Sequence, residues 1–382
     1  MTKNTASRPL RVIDFTLVMA GPFCTRLFAD MGAEVIKIEP PEGDAMRGRP
    51  PKREGHSRYF GHLNCGKHSL AVDLKVAEER NLVLKLIDTA DVLVENFRPG
   101  VMDRLGLGYE ALKARNPGLI FCSISGFGQT GMAAKKPAYA PMIHAASGYD
   151  LTLMSFSPEG GKPAPTGMFV ADVLAGVYAF GAIQASLYQR EQSGEGQRID
   201  VALMDSIMSM MIYECQEAQF PQPRKRHVYG PLRASDGYVI AAPLSRKNFE
   251  SLGKLLGNPP WIDDERFASA AGREQNWVEI MGHIEAWTKD KSAADCERLL
   301  NEAGVPCSRY RSVEEAMADP ALVERGFLQT IEDGGGPYQV FGAPFKMSGC
   351  DVRARPHVPA LGADLDRYLN ELQQEPLATA QN

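Results

Sequence analysis

Paired cysteines are missing from this chain. Its 382 residues include seven cysteines, Cys24, Cys65, Cys122, Cys215, Cys296, Cys307 and Cys350, and no two are spaced as CxxC. An odd, scattered set argues against a disulfide framework or a zinc site and fits a reducing compartment, the cytoplasm. The P-loop pattern and the HExxH and GxSxG motifs are also absent. Their absence sets aside P-loop nucleotide hydrolases, zinc peptidases and the common serine hydrolases. Charge of either sign is not in excess: 42 Lys and Arg against 47 Asp and Glu leave a net −5. Neither nucleic acid nor an anionic membrane surface is therefore expected as a partner. The first nine residues have no apolar core and so do not read as a signal peptide. One GxGxxG, Gly126–Gly131, follows a predicted strand, but Pro137 halts the helix that a dinucleotide site would open there. That loop reads as a pocket wall.

Long apolar runs are scarce, with one exception. From Gly167 to Leu187 nearly every residue is apolar, and Asp172 is its one ionisable side chain. Internal Asp, Gln184 and several Gly and Ala residues favour a buried helix over a membrane span. Burying an unpaired carboxylate costs several kcal/mol, on the order of 3–5 when a partner is missing. Asp172 must be satisfied by the fold or used by it, which makes it a candidate nucleophile.

The remaining pattern alternates. Strands are expected at Arg11–Thr16, Glu34–Glu39, Ser69–Leu74, Asp91–Asn96 and Leu119–Ser125, with helices at Phe23–Met31 and Val76–Thr89 between them. Such alternation predicts an α/β fold, a Rossmann-like large domain with a parallel sheet. Ligands of such sheets bind beyond the carboxyl ends of the strands. Pro40–His62 reads as a long, basic, functional loop. Phe220–His227, with two prolines and a basic run, reads as a linker. The expected domains are 1–220 (large), 221–330 (a smaller α+β domain) and 331–382, a segment returning to the large domain.

Several motifs together resemble the class III CoA-transferase family, the CaiB/BaiF type. They are Asp14-Phe-Thr with Ala20-Gly-Pro, Asp30-Met-Gly-Ala-Glu-Val-Ile-Lys-Ile-Glu39, Asn64-Cys-Gly-Lys-His-Ser, Asp91 to Gly100, Ser125-Gly-Phe-Gly, Ala171-Asp172 and Gly194-Glu-Gly-Gln. The resemblance implies CoA transfer from an acyl-CoA to a small carboxylic acid, with Asp172 forming a mixed anhydride. It implies CoA thioester as substrate, no tightly bound cofactor, and an interlocked homodimer. Positions matching CoA contacts are Val18, Ala20, Val72, Lys75, Asn96, Phe97, Arg104 and Met204; those matching the acid pocket are Met19 and Tyr139.

Met19 replaces a glutamine of the oxalate-using members, which points to a larger or more apolar acyl group. Arg226 and His227 are candidates for holding the distal carboxylate of a dicarboxylate. Helix N-terminal amides near Asp172 are expected to keep it ionised. Two alternatives stay open: an α-methylacyl-CoA racemase, for which His144 is displaced from the expected His position, and a non-catalytic CoA-binding homologue.

Overall fold

The computed structural model describes residues 9–156, 162–223 and 228–374. Two compact units result: Met1–Ala218 with Val323–Asn382, and Gln219–Leu322.

The first unit is built on six strands: β1 (Arg11–Asp14), β2 (Glu34–Glu39), β5 (His68–Ala71), β6 (Val92–Glu95), β7 (Ile120–Ser125) and β8 (Arg198–Ala202). Between β2 and β5 comes a small hairpin, β3 (Lys52–Arg53) and β4 (His56–Ser57). The sheet order is β5-β2-β1-β6-β7-β8, and every pairing is parallel. Alternation sends neighbours to opposite faces. Val12, Val35, Val92 and Val94 join one core, with α1 (Ala20–Asp30) and α8 (Val170–Ser193). Ile13, Ile36 and Leu93 join the other, with α3 (Ala77–Asp88), α4 (Val101–Arg104), α5 (Tyr109–Arg115) and Tyr368 of the C-terminal helix Leu365–Gln374. Both faces are covered, which is why the strands read as apolar runs.

The stretch expected as one long loop is largely structured. Its start folds into a turn of 3-10 helix capped by Asp44, followed by the β3–β4 hairpin. Its end is α2 (Arg58–Asn64), capped by Ser57 Oγ accepting the Phe60 N–H. Two of its arginines are structural. Arg47 pairs with Glu39, and Arg58 pairs with Asp333 and stacks 4.2 Å over Tyr338.

α8 is the one helix among the described residues long and apolar enough, by composition, to cross a membrane. Its buried face is made mostly of small residues, Ala171, Ala175, Gly176, Ala179 and Ser186, with Ile183 among them, and packs along α1. A Cβ on Gly176 would come 2.6 Å from the Ala20 carbonyl oxygen and 3.1 Å from the Phe23 ring. Glycine there lets the two helices touch. The opposite face leaves Val177, Tyr178 and Tyr188 exposed, so α8 is half open and not the enclosed helix its composition predicts.

The second unit has a three-stranded antiparallel sheet, β9 (Leu232–Arg233), β10 (Tyr238–Ala241) and β11 (Cys307–Arg309). Helices Arg246–Leu255, Trp277–Thr288 and Ala293–Glu302 close its separate core. A last hairpin, β12 (Leu328–Asp333) and β13 (Gly336–Phe341), belongs to the first unit.

Candidate active site

The loop after β1 is held from beneath by a buried polar network. Asp14 is fully buried and accepts from the Thr16 N–H (2.8 Å), Thr25 Oγ1 (2.7 Å) and Lys67 Nζ (2.9 Å). Burial alone would raise its pKa. The Lys67 and Lys37 ammoniums and the Thr16 hydrogen bond overcome that and hold the carboxyl at about 2. Lys37 Nζ donates to the Thr16 carbonyl at 2.6 Å. From the side, Asn96 clamps Leu17: its Oδ1 accepts the Leu17 N–H (2.9 Å), and its Nδ2 donates to the Leu17 carbonyl (2.8 Å).

A loop fixed at two consecutive residues can hold the next one in a poor conformation. Val18 has φ 69°, left-handed backbone that a β-branched side chain rarely adopts. Gly21 completes the turn into α1, since a Cβ there would overlap Thr16 at 2.2 Å.

Two adjoining cavities open above this loop, beyond the carboxyl ends of the strands. The first, of 280 Å³, is lined by Leu17 to Ala20, Asn96 to Pro99, Ile124 to Gly126, Lys136, Tyr139, Leu203 and Asp172. The second, of 290 Å³, is lined by residues after β1, β2, β5 and β6, among them Ile38, Pro40, Val72, Lys75 and Leu105. Leu17 and Phe97 belong to both walls.

Asp172 is the one carboxylate among the described residues lining the first cavity. It lies in the first turn of α8, which begins at Val170. It is ionised at neutral pH, as expected, but not through hydrogen bonds from the helix amides. No hydrogen bond to its carboxylate is made among the described residues, and burial raises its pKa to about 6. Nearby groups feel its charge: burial, then Asp172, push the Tyr59 phenol up, while Arg49 opposes them. Also in the wall is Ser125, 8% exposed, whose Oγ has no partner among the described residues.

The structure brings Val18, Met19, Ala20, Asn96, Phe97, Tyr139 and Asp172 to the first cavity, and Val72, Lys75 and Phe97 to the second. Two others lie apart. Arg104 is exposed beside the second cavity's Leu105 but lines neither wall. Met204 packs against the core, its N–H donating to the Gly126 carbonyl at 3.1 Å. Arg226 and His227 lie outside the described residues. Sequence reasoning missed Arg98, Lys136, Ser125 and Tyr59. Arg98 sits inside the Asp91–Gly100 motif, one residue past Phe97, and the loop after β6 was its signal. Among the described residues, Arg98, Lys136, Lys75 and Arg104 form no ion pair.

The carboxyl edge of an open parallel sheet is where such folds bind their ligands, and here that edge carries a cavity with one acid in its wall. The model of CoA-transferase family III matches residues 8–365. The chain belongs to that family and is an acyl-CoA:carboxylate CoA-transferase. It is 36% identical to an acetyl-CoA:oxalate CoA-transferase of Acetobacter aceti, over 94% of this chain and 96% of that one. Identity is 35% with a succinate–glutarate CoA-transferase of Agrobacterium fabrum, over 95% of each. The fold is similar to a CaiB/BaiF family protein from Brucella suis, with TM-score 0.81 and 34% identity, covering 95% of this chain and 98% of that one.

Proposed function

We propose that this transferase moves CoA from a dicarboxylic acyl-CoA to a second carboxylic acid through an anhydride on Asp172. The observation that carries the reading is the placement of one unsatisfied carboxylate in a 280 Å³ cavity at the sheet's carboxyl edge. The Asp172 carboxylate attacks the thioester carbon; the C–S bond breaks and CoA thiolate leaves. The thiolate then attacks the aspartyl carbonyl of the anhydride, freeing the donor acid and leaving an aspartyl-CoA thioester. The acceptor carboxylate attacks that thioester, and the released thiolate takes the new acyl group, restoring Asp172. A pKa of about 6 leaves the carboxylate ionised at neutral pH and more basic than an ordinary aspartate.

Supporting the CoA assignment, the cavities adjoin at Leu17 and Phe97, as a thiol arm in one and a flat base in the other would require. Val72, Ile38 and Leu105 offer the base an apolar slot, while Val18 and Ala20 flank the arm. Lys75 and Arg104, which form no ion pair among the described residues, suit the phosphates. Arg98 and Lys136, without ion pairs among the described residues and in the same wall as Asp172, suit a distal carboxylate, with Met19 and Tyr139 enclosing the acyl chain. Relatives named for succinate and glutarate, and for succinyl-CoA and mesaconate, support a dicarboxylate. His144 is fully buried and absent from the cavity wall, which weighs against a racemase base pair.

The open apolar face of α8, with Met208, Met210 and Ile212 just beyond it, supports an interlocked homodimer. Seven scattered cysteines with no CxxC pair support a cytoplasmic setting.

The test is a transfer assay by chromatography, with succinyl-CoA or acetyl-CoA as donor and two- to six-carbon mono- and dicarboxylates as acceptors. The reading expects kcat/KM at least tenfold higher for succinyl-CoA. Equal or better use of acetyl-CoA overturns the dicarboxylate assignment, and α-deuterium exchange without transfer overturns the reaction.

A further inference from the structure

The transfer chemistry makes no use of His144, on α6 (Ala140–Ala146). The imidazole is 0% exposed, and its Nε2 accepts the Ala171 backbone N–H at 3.2 Å. Ala171 immediately precedes the nucleophile. The first helical bond of α8 runs from the Val173 N–H to the Phe169 carbonyl. The N–H groups of Val170, Ala171 and Asp172 therefore have no acceptor within the helix. Phe169, at the N-cap, has no side-chain oxygen to offer. His144 reaches in from a neighbouring helix and takes the middle amide of the three.

A neutral imidazole that accepts at Nε2 carries its proton on Nδ1. That Nδ1 is buried and has no partner among the described residues. An orphaned donor in the interior costs about 1–3 kcal/mol. The side chain thus gives up satisfaction at one nitrogen while holding Ala171 with the other.

We propose that His144 is a positioning residue for Asp172: as a neutral acceptor it occupies the Ala171 amide, fixes the first turn of α8, and keeps that amide away from the aspartate carboxylate. First-turn acids are ordinarily within reach of the helix's free N–H groups. With Ala171 engaged elsewhere, the amide next to Asp172 in the chain is closed to its carboxylate, which accepts no hydrogen bond among the described residues. The inference rests on Asp172 being the nucleophile.

Protonation would break the arrangement, because an Nε2–H would face the Ala171 N–H, donor against donor. Three helices pack on α6: α7 (Tyr149–Ser155), α8 and α9 (Leu203–Met208). Their titratable side chains nearest in the chain are Tyr149, with its ring centroid 5.3 Å away, Asp150, Asp172 and Asp205. Those of α8 resume two turns later at Tyr178. Burial lowers the imidazole pKa, and the Asp150 charge opposes it.

The test joins two measurements on the full-length protein. Nitrogen-15 NMR of labelled histidine, assigned by loss of the His144 signals in H144Q, reads the tautomer from pH 5.5 to 8. Single-turnover acylation with hydroxylamine trapping compares wild type, H144Q and H144L. Glutamine keeps an acceptor that does not titrate; leucine removes it. Expected are an Nδ1–H tautomer and an H144Q rate within threefold of wild type. H144L is expected to be at least tenfold slower, with KM for acyl-CoA within twofold. Its acid limb should move at least half a pH unit lower, as the freed amide turns to Asp172.

An Nε2–H tautomer at pH 7.5, an H144L enzyme with wild-type rate and acid limb, or an H144Q enzyme as slow as H144L overturns it. The tautomer alone decides if H144L does not fold. Wild type that forms no Asp172 adduct overturns the nucleophile and this inference together. An adduct formed equally fast by H144L overturns this inference alone.

Discussion

Two aspartates of this chain, Asp14 and Asp172, stand on either side of one loop and meet opposite fates. Below the loop, Asp14 is wholly buried, accepts from Thr16, Thr25 and Lys67, and is held at about 2. Above it, Asp172 accepts no hydrogen bond among the described residues and is raised to about 6. Burial pushes both upward; what differs is the company. A satisfied carboxylate stabilises, whereas an unsatisfied one stores reactivity at a cost to the fold. The strained Val18 lies between them, fixed by the first and presented to the cavity of the second.

Breaking the reactive side should have the largest effect. Asp172→Asn is expected to lower kcat by about 10⁴-fold or more, as loss of a nucleophile does, while CoA binding by calorimetry stays within threefold. Breaking the structural side should be next. Lys67→Met leaves Asp14 charged, buried and short of the cation it bonds, with only Lys37 nearby, a loss of about 3–5 kcal/mol, read as a fall in the urea midpoint.

The same two groups should respond oppositely to acid. Asp14 has a depressed folded pKa, so its stabilisation is full above the unfolded value near 3.8 and is lost as pH falls toward 2. Asp172 has a raised one. Its ionised form therefore costs stability that is fully felt above pH 6 and vanishes below the unfolded value of 3.8. Asp172→Asn is expected to gain about 1–3 kcal/mol at pH 7.5, with the gain gone by about pH 4. Denaturant titrations at several pH values check the sign. Smallest, Gly176→Ala should cost about 1–2 kcal/mol by forcing α8 off α1. It should also lower kcat, because Ala20 starts α1 in the cavity wall; thermal melts and turnover read the two effects.

The parallel sheet was legible because buried strands read as short apolar runs, such as Val92–Glu95, spaced by helix patterns. Asp172 was legible as one charge in an apolar run. The rest depended on distance. His144 looked like an ordinary member of an apolar helix, since the hydrogen bond of its side chain reaches 27 residues ahead. The reciprocal Asn96–Leu17 clamp joins residues 79 apart. α2 was hidden by the Pro, Gly and Arg content around it, although Ser57 three residues before Phe60 was a cap signal. The surroundings of Asp172 depend on where α8 starts, at Val170, and on an acceptor 27 residues away, and the local sequence shows neither.

The central claim is that Asp172 is acylated. Intact-protein and peptide mass spectrometry after incubation with succinyl-CoA and hydroxylamine tests it most directly. A hydroxamate on Asp172, formed in proportion to CoA release and absent in Asp172→Asn, is the expected result. CoA transfer proceeding at the wild-type rate with Asp172 unmodified, or in Asp172→Asn, would contradict it.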